Sequence, residues 1–511
     1  MRTLFGLYII FFLSQFSGYS QDTVEKYAAK AYKNNNFTEA IKFYEDLLES
    51  DPVNREFLFK IGVSYLSSNV DKSKAIKYLE KLYEIDPENH ELWYYVALAY
   101  HYNFQIDRSL EMFEMYKPYA KEKRKIQVEL RIRNCKSAKV LMRQRVNVTF
   151  ENLGPLINTK YPDYYPFVSK DDEYLTFTSR RINTTGGYQY FDGFFASDIM
   201  MTAKDTAGNF EKARKGGSRL NTKHDDQCVG LSDDGRTMFI YTNENKDGNI
   251  YKSHRKINSF GEPEKLGDHV NTKKLESAAC ISHDESLLFF SSKMDGGYGG
   301  LDLYMTRKLP SGEWALPQNL GPNINTEFNE DFPTHSIDDQ ILYFCSEGHE
   351  NIGGFDIFSA EWNPNNNKWS IPKNIGYPIN TPDDERVISF TEDGHHAYIS
   401  AVKKGGEGDL DIYRITLHDN LPQAIVKLNL INETGEECTG GLVSMYDQYD
   451  DIVGKYNTNT GSYLLIVPVG KFYLHIAADG MKYHVEEFNL TIADVEANPM
   501  MVKEIILKKT N

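Results

Sequence analysis

The sequence lacks the features that mark several large classes of protein. Its 511 residues contain five cysteines, far apart and with no Cys-x-x-Cys pair, so neither a disulfide framework nor a zinc site is indicated. The formal net charge of -16 argues against nucleic acid as a partner, because nucleic acid needs a basic face. Beyond the N-terminus, no apolar run is long enough to span a membrane.

Known catalytic motifs are missing as well. The sequence contains no Gly-x-Ser-x-Gly elbow, no Walker phosphate-binding loop and no His-Glu-x-x-His pair. His395 and His396 are adjacent, and neighbouring residues of a strand point to opposite faces, so they do not form a paired site. We therefore expect a protein that is not an enzyme and that has no catalytic residues, resident metal or other cofactor.

The N-terminus has the pattern of a secretion signal. Arg2 precedes an apolar run from Leu4 to Leu13, and small residues follow at Gly18 and Ser20. Residues 1–20 are therefore predicted to be a signal peptide. The mature protein is expected to be exported and to carry no membrane span.

Residues 21–145 repeat with a period near 35. Equivalent residues lie 35 positions apart in three pairs, which are Ala40 and Ala75, Pro52 and Pro87, and Gly62 and Ala97. A period of this length, with small residues at helix contacts, resembles tetratricopeptide repeats, which are built from antiparallel helix pairs. A further helix is expected at 122–144, with Ile126 in its apolar stripe, to cap the solenoid.

The resemblance to tetratricopeptide repeats implies a concave face that binds a partner. By repeat position, Phe59, Tyr94 and His101 are expected to line this face. Ordinary helix packing is the alternative for Phe59. Tyr94 and His101 are predicted to be exposed partner contacts.

Five copies of one motif occupy residues 146–418. An apolar residue followed by Asn-Thr recurs with its Asn at 158, 221, 271, 325 and 380, at spacings of 63, 50, 54 and 55 residues. Each copy continues with a Ser/Thr-x-Asp turn such as Ser336-x-Asp338, then an apolar β-branched or aromatic run, then an Asp or Asn that opens another strand. A regular period built from strands and Gly turns predicts a β-propeller, with one blade for each repeat.

This segment resembles the TolB-type, WD-repeat-like propellers of bacterial envelope proteins. The resemblance implies the fold and not a function, because propellers host enzymes, sensors and scaffolds alike. Five copies predict five blades. A sixth, degenerate blade within the longer interval between Asn158 and Asn221 is the alternative.

Acidic clusters recur at the same place after the Asn-Thr motif. They are Asp225 with Asp226, Glu330 with Asp331, and Asp384 with Glu385. A feature repeated in each copy is predicted to be architectural, or to form a ring of acidity around one mouth of the propeller. Two other hypotheses are calcium binding by the clustered carboxylates and glycoside hydrolysis by a carboxylate pair.

Residues 420–511 show short alternating strands with turns at regular intervals, which predicts a β-sandwich. The series Gly461-x-Tyr463, Pro468-x-Gly470 and Gly480-x-x-Tyr483 resembles carboxypeptidase-regulatory-like domains. Despite their name, those domains are non-catalytic spacers and adhesion modules. The predicted fold is therefore multidomain, with an α-solenoid, a propeller and a sandwich in that order.

This order of domains resembles the PorE-type envelope proteins of Bacteroidetes, which are linked to type IX secretion and gliding machinery. Those proteins carry a further, OmpA-like domain that binds peptidoglycan, whereas this sequence stops at Asn511, directly after the third domain. We therefore expect no peptidoglycan-binding residues. The resemblance implies partners among envelope proteins, including outer-membrane or secretion components.

The expected function is that of a non-enzymatic scaffold in the periplasm, peripheral to the outer membrane. Two alternatives remain open. One is a glycan-binding or adhesion protein, secreted or held at the cell surface. The other is a propeller-based glycan hydrolase or lyase.

Overall fold

The computed structural model describes residues 21–243, 248–256, 259–419, 423–447, 452–458 and 460–510. The signal peptide predicted at residues 1–20 lies outside these described residues. The chain divides into two compact units, Met1–Val402 with Glu407–Thr416, and Lys403–Gly406 with Leu417–Asn511. In the described part of the chain, no helix combines the length and the apolarity needed to cross a membrane.

The first unit begins with a series of helices in which each helix packs against the next along the chain. The amphipathic helices bury one face each, and Asn54 caps one of them by accepting a hydrogen bond from the Phe57 N–H at 3.1 Å. Within the described residues up to Leu141 there are seven α-helices. They are α1 (Gln21–Lys33), α2 (Phe37–Ser50), α3 (Arg55–Leu66), α4 (Ala75–Ile85), α5 (His90–Tyr102), α6 (Ile106–Tyr116) and α7 (Glu122–Leu141).

The 35-residue period has a physical basis in these helices. The Tyr65 hydroxyl donates to Glu45 at 2.9 Å, and 35 residues later the Tyr100 hydroxyl donates to Glu80 at 2.6 Å. Helices α3 and α4 approach each other closely at Gly62, where a Cβ would lie 2.5 Å from Leu79 Cγ. The small residue predicted at the helix contact is therefore required by the packing.

Helix α7 begins where the sequence predicted and ends at Leu141, but the predicted apolar stripe is partly wrong. Ile126 is 57% exposed, whereas Val128 and Ile132 are buried. The buried side chains continue with Cys135 and Ala138. Their spacing of four, three and three residues follows a face rotated away from the one on which Ile126 lies.

A β-propeller-like array follows the helices. Within the described residues it contains five antiparallel sheets, and the first strands of neighbouring sheets lie against each other. Its first strand, β1 (Val148–Asn152), belongs to the last sheet and not to the first. The first sheet contains β2 (Asp163–Val168), β3 (Tyr174–Ser179), β4 (Asp198–Ala203) and β5 (Arg214–Lys215).

The next three sheets repeat the pattern of the first. The second contains β6 (Asp226–Leu231), β7 (Thr237–Thr242), β8 (Asn249–His254) and β9 (Glu264–Lys265). The third contains β10 (Glu276–Ile281), β11 (Leu287–Ser292), β12 (Asp302–Arg307) and β13 (Gln318–Asn319). The fourth contains β14 (Glu330–His335), β15 (Ile341–Ser346), β16 (Asp356–Asn363), β17 (Lys368–Trp369) and β18 (Lys373–Asn374).

The last sheet joins the two ends of the array. It contains β19 (Ile388–Phe390), β20 (His396–Ala401) and β21 (Asp411–Leu417), and β1 pairs with β21 as its outer strand. The chain segment that precedes all the other strands therefore completes the sheet that follows them. Such an overlap closes a propeller-like array without leaving an open sheet between its ends.

The second unit contains two further sheets in its described residues. One has the order β25–β22–β28 and includes a parallel pair, and the other has the order β24–β23–β26–β27. Alternate side chains of both sheets, including Val426, Val443 and Leu474, share one apolar core. The elements are β22 (Gln423–Asn432), β23 (Gly441–Asp447), β24 (Ile452–Thr458), β25 (Ser462–Pro468), β26 (Gly470–Ala477), β27 (His484–Leu490), α8 (Ile492–Ala497) and β28 (Met500–Leu507).

Candidate protein-binding surface

The repeated Asn of the propeller-like array is a buried connector between strands. Asn325 Oδ1 accepts a hydrogen bond from the Leu303 N–H at 2.8 Å, and its Nδ2 donates to the Leu303 carbonyl at 2.9 Å. The same two-way contact joins the other copies of the motif. The pairs are Asn158 with Ile412, Asn221 with Ile199, Asn271 with Ile250, and Asn380 with Ile357.

The acidic residue five positions after each Asn stabilises the turn that begins at the Thr of the Asn-Thr motif. Glu330 accepts hydrogen bonds from the Thr326 N–H at 2.8 Å and from the Thr326 hydroxyl at 2.7 Å. Asp226 and Glu385 make the same contacts with the Thr of their own copy. Burial raises the pKa of Glu330 to about 7 and the pKa of Asp226 to about 6.

The other member of each acidic pair also has a local role. Asp331 is buried and accepts from the Ser277 hydroxyl at 2.7 Å, and burial raises its pKa. Asp225 accepts from the Ser197 N–H at 2.9 Å and from the Tyr190 hydroxyl. Asp384 accepts from the Phe355 N–H at 3.1 Å and pairs with Arg386, with 51% of its side chain exposed.

The prediction of a ring of acidity at a propeller mouth is therefore wrong for four of the six residues. Asp226, Glu330, Asp331 and Glu385 are at most 3% exposed, and their oxygens accept hydrogen bonds from the turns that they stabilise. The physical reason is that a turn of this type needs an acceptor for its N–H groups. Across the described ranges, no group of three or more His, Cys, Asp or Glu side chains could hold a metal ion. Calcium binding stays a hypothesis that titration calorimetry with Ca²⁺ tests.

His101 does not lie on an exposed face of the solenoid. It is 1% exposed, and its Nε2 lies 2.8 Å from the carbonyl oxygen of Ile352, in the loop between β15 and β16. Burial lowers the pKa of His101 to about 3, so the ring stays neutral and Nε2 carries the proton that it donates. The prediction of His101 as an exposed partner contact is wrong, because the propeller-like array of the same chain covers it.

Several other polar contacts join the solenoid to the same loops. Asn134 of α7 is buried and donates to the Gly353 carbonyl at 2.5 Å, which also accepts from Arg131 at 3.3 Å. Lys72 forms an ion pair with Asp383, and Asp383 raises the Lys72 pKa against the opposing effect of burial. This set of contacts, with His101, is called the solenoid–array joint below.

Sequence reasoning missed these residues. Asn134 lies among the side chains that α7 buries, and placing the apolar stripe of this helix correctly would have pointed to it, because a buried amide requires a partner. Lys72 gave no such signal, since its partner lies 311 residues away in sequence. The backbone carbonyl groups that accept at this joint have no signature in a sequence.

A half-buried aromatic face lies on alternate helices of the solenoid. The Phe59 and Tyr95 rings contact edge to face with centroids 5.1 Å apart, and the Tyr94 and Tyr95 rings do so at 5.5 Å. The Arg124 guanidinium of α7 lies over Tyr94, 4.8 Å from the ring centroid. Phe59, Tyr94 and Tyr95 are each partly exposed. The structure thus brings together Phe59 and Tyr94, two of the three predicted contact residues, and separates them from His101.

This aromatic face also carries positive charge. The Lys60 ammonium lies 3.9 Å from the centroid of the Tyr32 ring. Arg124 and Lys121 both pair with Glu91, and hydrogen bonding to Lys121 lowers the Glu91 pKa. Rings that carry cations on their faces offer both apolar area and hydrogen-bond donors to an extended peptide. Phe59, Tyr94, Tyr95 and Arg124 are called the aromatic face below.

A comparison with protein-family models identifies one region. The model described as Tetratricopeptide repeat matches residues 56–89, which cover α3 and α4. The tetratricopeptide prediction is confirmed for this stretch, where the Gly62 and Leu79 contact lies. A search of curated proteins found no match.

Solved structures similar to this chain include β-propeller proteins of bacteria. A TolB candidate from Agrobacterium tumefaciens shares 16% identity, with 64% of this chain and 99% of that chain covered and a TM-score of 0.32. TolB from Acinetobacter baumannii shares 13% identity over 61% of this chain and 62% of that chain, with a TM-score of 0.31. An oligogalacturonate lyase from Vibrio parahaemolyticus shares 11% identity over 54% and 99%, with a TM-score of 0.30. Likeness of this degree assigns no function.

Proposed function

We propose that this protein is a non-enzymatic scaffold whose aromatic face binds an extended segment of another protein. The observation that carries the proposal is the Phe59, Tyr94 and Tyr95 cluster with Arg124 above it. These partly exposed rings form an apolar platform. Each ring has few rotatable bonds, so fixing it against a bound partner costs little conformational entropy. A tetratricopeptide match over residues 56–89 supports the same interpretation.

The absence of enzymatic activity is part of this proposal. The carboxylates that first suggested glycoside hydrolysis, Glu330 and Asp331, accept hydrogen bonds from neighbouring turns and are buried. A glycosidase needs two carboxyl groups that flank a substrate. The present roles of Glu330 and Asp331 support an architectural function for the repeats.

The finer assignments follow from the order of domains. We propose a five-bladed propeller, one blade for each Asn-Thr repeat, and a carboxypeptidase-regulatory-like sandwich for residues 420–511. We further propose a periplasmic location peripheral to the outer membrane and a relation to PorE-type proteins, with a partner in type IX secretion or gliding machinery. The exported character rests on the predicted signal peptide at residues 1–20.

The test is affinity capture of envelope proteins with matched variants. The double variant Phe59→Ala, Tyr94→Ala removes the aromatic face, and Met115→Ala, an exposed residue of α6, is the control. We expect the full chain and Met115→Ala to capture the same outer-membrane or secretion component, and the double variant to lose it by more than tenfold. Equal capture by all three proteins would contradict the role of the aromatic face.

A further inference from the structure

The second unit exposes a row of large apolar side chains on one face of its three-stranded sheet. Six side chains on β22, β25 and β28 point outward, and each is between 41% and 69% exposed. They are Ile425, Leu464, Ile466, Met500, Val502 and Ile506. Alternate residues of these strands fill the core, so the outward positions are ones where a solvated sheet normally carries polar residues.

The strand register places these side chains next to one another. Ile425 pairs with Ile466 on one side and with Met500 on the other. Two residues further along β22, at the next level of this face, Lys427 lies between its register partners Leu464 and Val502. Contiguous apolar patches of this kind are uncommon on monomeric proteins and mark interaction surfaces.

The polar residues on the face restrict what can cover it. Lys427 is exposed at its centre, and no ion pair to Lys427 or to Glu504 forms within the described residues. Glu504 pairs in register with Asn429 and lies one level beyond Val502. An occupant must therefore offer apolar area, one anion for Lys427 and one polar or cationic group for Glu504.

We propose that a second copy of this chain covers this face, and that the protein forms a two-fold dimer through β22 and β28. Because these strands are parallel, a two-fold axis can run parallel to both of them, midway between them. Rotation about this axis leaves the position of every residue along the strand direction, its level, unchanged. Each residue of β22 then lies opposite its register partner on β28 of the second copy. The face is complementary to itself in this arrangement.

The register pairs match in chemical character at each level. Ile425 lies opposite Met500 of the second copy, and Asn429 lies opposite Glu504 of the second copy. Ile431 lies opposite Ile506 of the second copy in the same way. Lys427 covers Val502 with its aliphatic stem and lies one level from Glu504 of the second copy, within the reach of the two side chains.

The charge of Lys427 favours this axis over an axis placed directly over β22. An axis directly over β22 would set Lys427 against Lys427 of the second copy, and two unpaired cations would then be desolvated together. The axis between β22 and β28 avoids this contact and supplies an anion to each lysine. Leu464 and Ile466 then lie at the rim, where partial exposure costs little.

The first experiment is sedimentation velocity on the mature chain from 1 to roughly 200 µM. We expect a monomer–dimer equilibrium with a dissociation constant on the order of 10 µM, because each copy offers six large apolar side chains, fewer than the roughly 20–30 residues that each partner contributes to a standard interface. Ile506→Asp should raise this constant about tenfold or more, since it buries an unpaired charge opposite Ile431 of the second copy. Val485→Asp on β27, where Val485 is 45% exposed, is the matched control and should change it less than about twofold.

The second experiment tests the axis by charge exchange. Lys427→Glu should weaken the dimer about fivefold or more, because the new carboxylate lies one level from Glu504 of the second copy, within reach of that side chain. The double variant K427E, E504K should restore the original dissociation constant. A chain that stays monomeric at the highest concentration overturns the proposal, as does a dimer that Ile506→Asp leaves intact or that the double variant fails to restore. Each variant changes an exposed residue, and circular dichroism verifies that it is folded.

Discussion

Asn158 and Ile412 are hydrogen-bonded in both directions although 254 residues separate them. Asn158 Oδ1 accepts from the Ile412 N–H at 2.8 Å, and its Nδ2 donates to the Ile412 carbonyl at 3.0 Å. In the other four repeats, the same contact joins an Asn to a strand 21 to 23 residues before it. The Asn158 contact therefore uses the repeated connector to join the last sheet to the first.

We predict that Asn158→Ala lowers the free energy of unfolding by about 2–4 kcal/mol. The reason is that a buried N–H and a buried carbonyl of Ile412 would each lose their side-chain partner. Chemical denaturation with tryptophan fluorescence measures the change. Asn271→Ala, which breaks the same contact between the second and third sheets, should cost a similar amount, and a loss below about 0.5 kcal/mol in both would contradict the connector role.

We predict that the stability supplied by Glu330 falls as pH rises from 5 to 8. Burial raises the Glu330 pKa from 4.5 to about 7, so the folded state holds this proton more tightly than the unfolded state. That contribution is complete below pH 4.5 and is lost as pH rises through about 7. The advantage of the native chain over Glu330→Gln should therefore shrink by on the order of 2 kcal/mol across this range.

Urea unfolding at several pH values measures this difference. Glu327→Gln is the control, since Glu327 is an exposed residue of the same loop, and its pH profile should follow that of the native chain. His101 has the opposite sign, because its lowered pKa of about 3 removes stability as pH falls below 6.5. Parallel profiles for the native chain and Glu330→Gln would exclude the role given to burial at Glu330.

We predict that Gly62→Ala destabilises the protein. In an exposed helix interior this change is worth about 1 kcal/mol of added stability. Here the new methyl group would meet the buried Leu79 side chain at 2.5 Å, and overpacking of this kind costs about 1–3 kcal/mol. A lower melting temperature is expected by calorimetry, whereas the exposed control Thr38→Ala in α2 should leave it nearly unchanged.

We predict that Asn134→Leu loosens the solenoid–array joint. The variant removes the 2.5 Å hydrogen bond to the Gly353 carbonyl and should cost about 1–3 kcal/mol. Hydrogen exchange measured by mass spectrometry should accelerate in the peptide that contains residues 348–356. Lys136→Leu, at a side chain 61% exposed on the same helix, is the control, and identical exchange in both variants would contradict the assignment.

The repeats could be predicted from the sequence because the residues that form their hydrogen bonds recur at fixed offsets. Asn325 and Glu330 lie five positions apart, as do Asn380 and Glu385, and each pair acts within one turn or between adjacent strands. Local hydrogen bonding of this kind leaves a pattern in the chain. The burial of these glutamates leaves no such pattern, which is why an architectural role and an exposed ring of acidity both stood as predictions.

The position of His101 could not be predicted, for a related reason. Its partner is a backbone carbonyl 251 residues away, and every residue type carries such a carbonyl. Tyr94, by contrast, contacts residues of its own repeats, Phe113 and Tyr116 of the next helix, and its role as a partner contact stays a prediction. Contacts inside a repeat follow from its period, and contacts between different domains do not.

Because β1 belongs to the last sheet, that sheet can be completed only after the strands of the whole array have been synthesised. A chain that emerges from a ribosome or an export channel with its N-terminus first delivers β1 (Val148–Asn152) long before β21 (Asp411–Leu417) exists to receive it. Throughout that interval β1 lacks its neighbouring strand, and the intermediate sheets have free edges that favour aggregation. A product truncated before Asp411 would keep this vulnerability permanently, so quality control has a physical reason to destroy it.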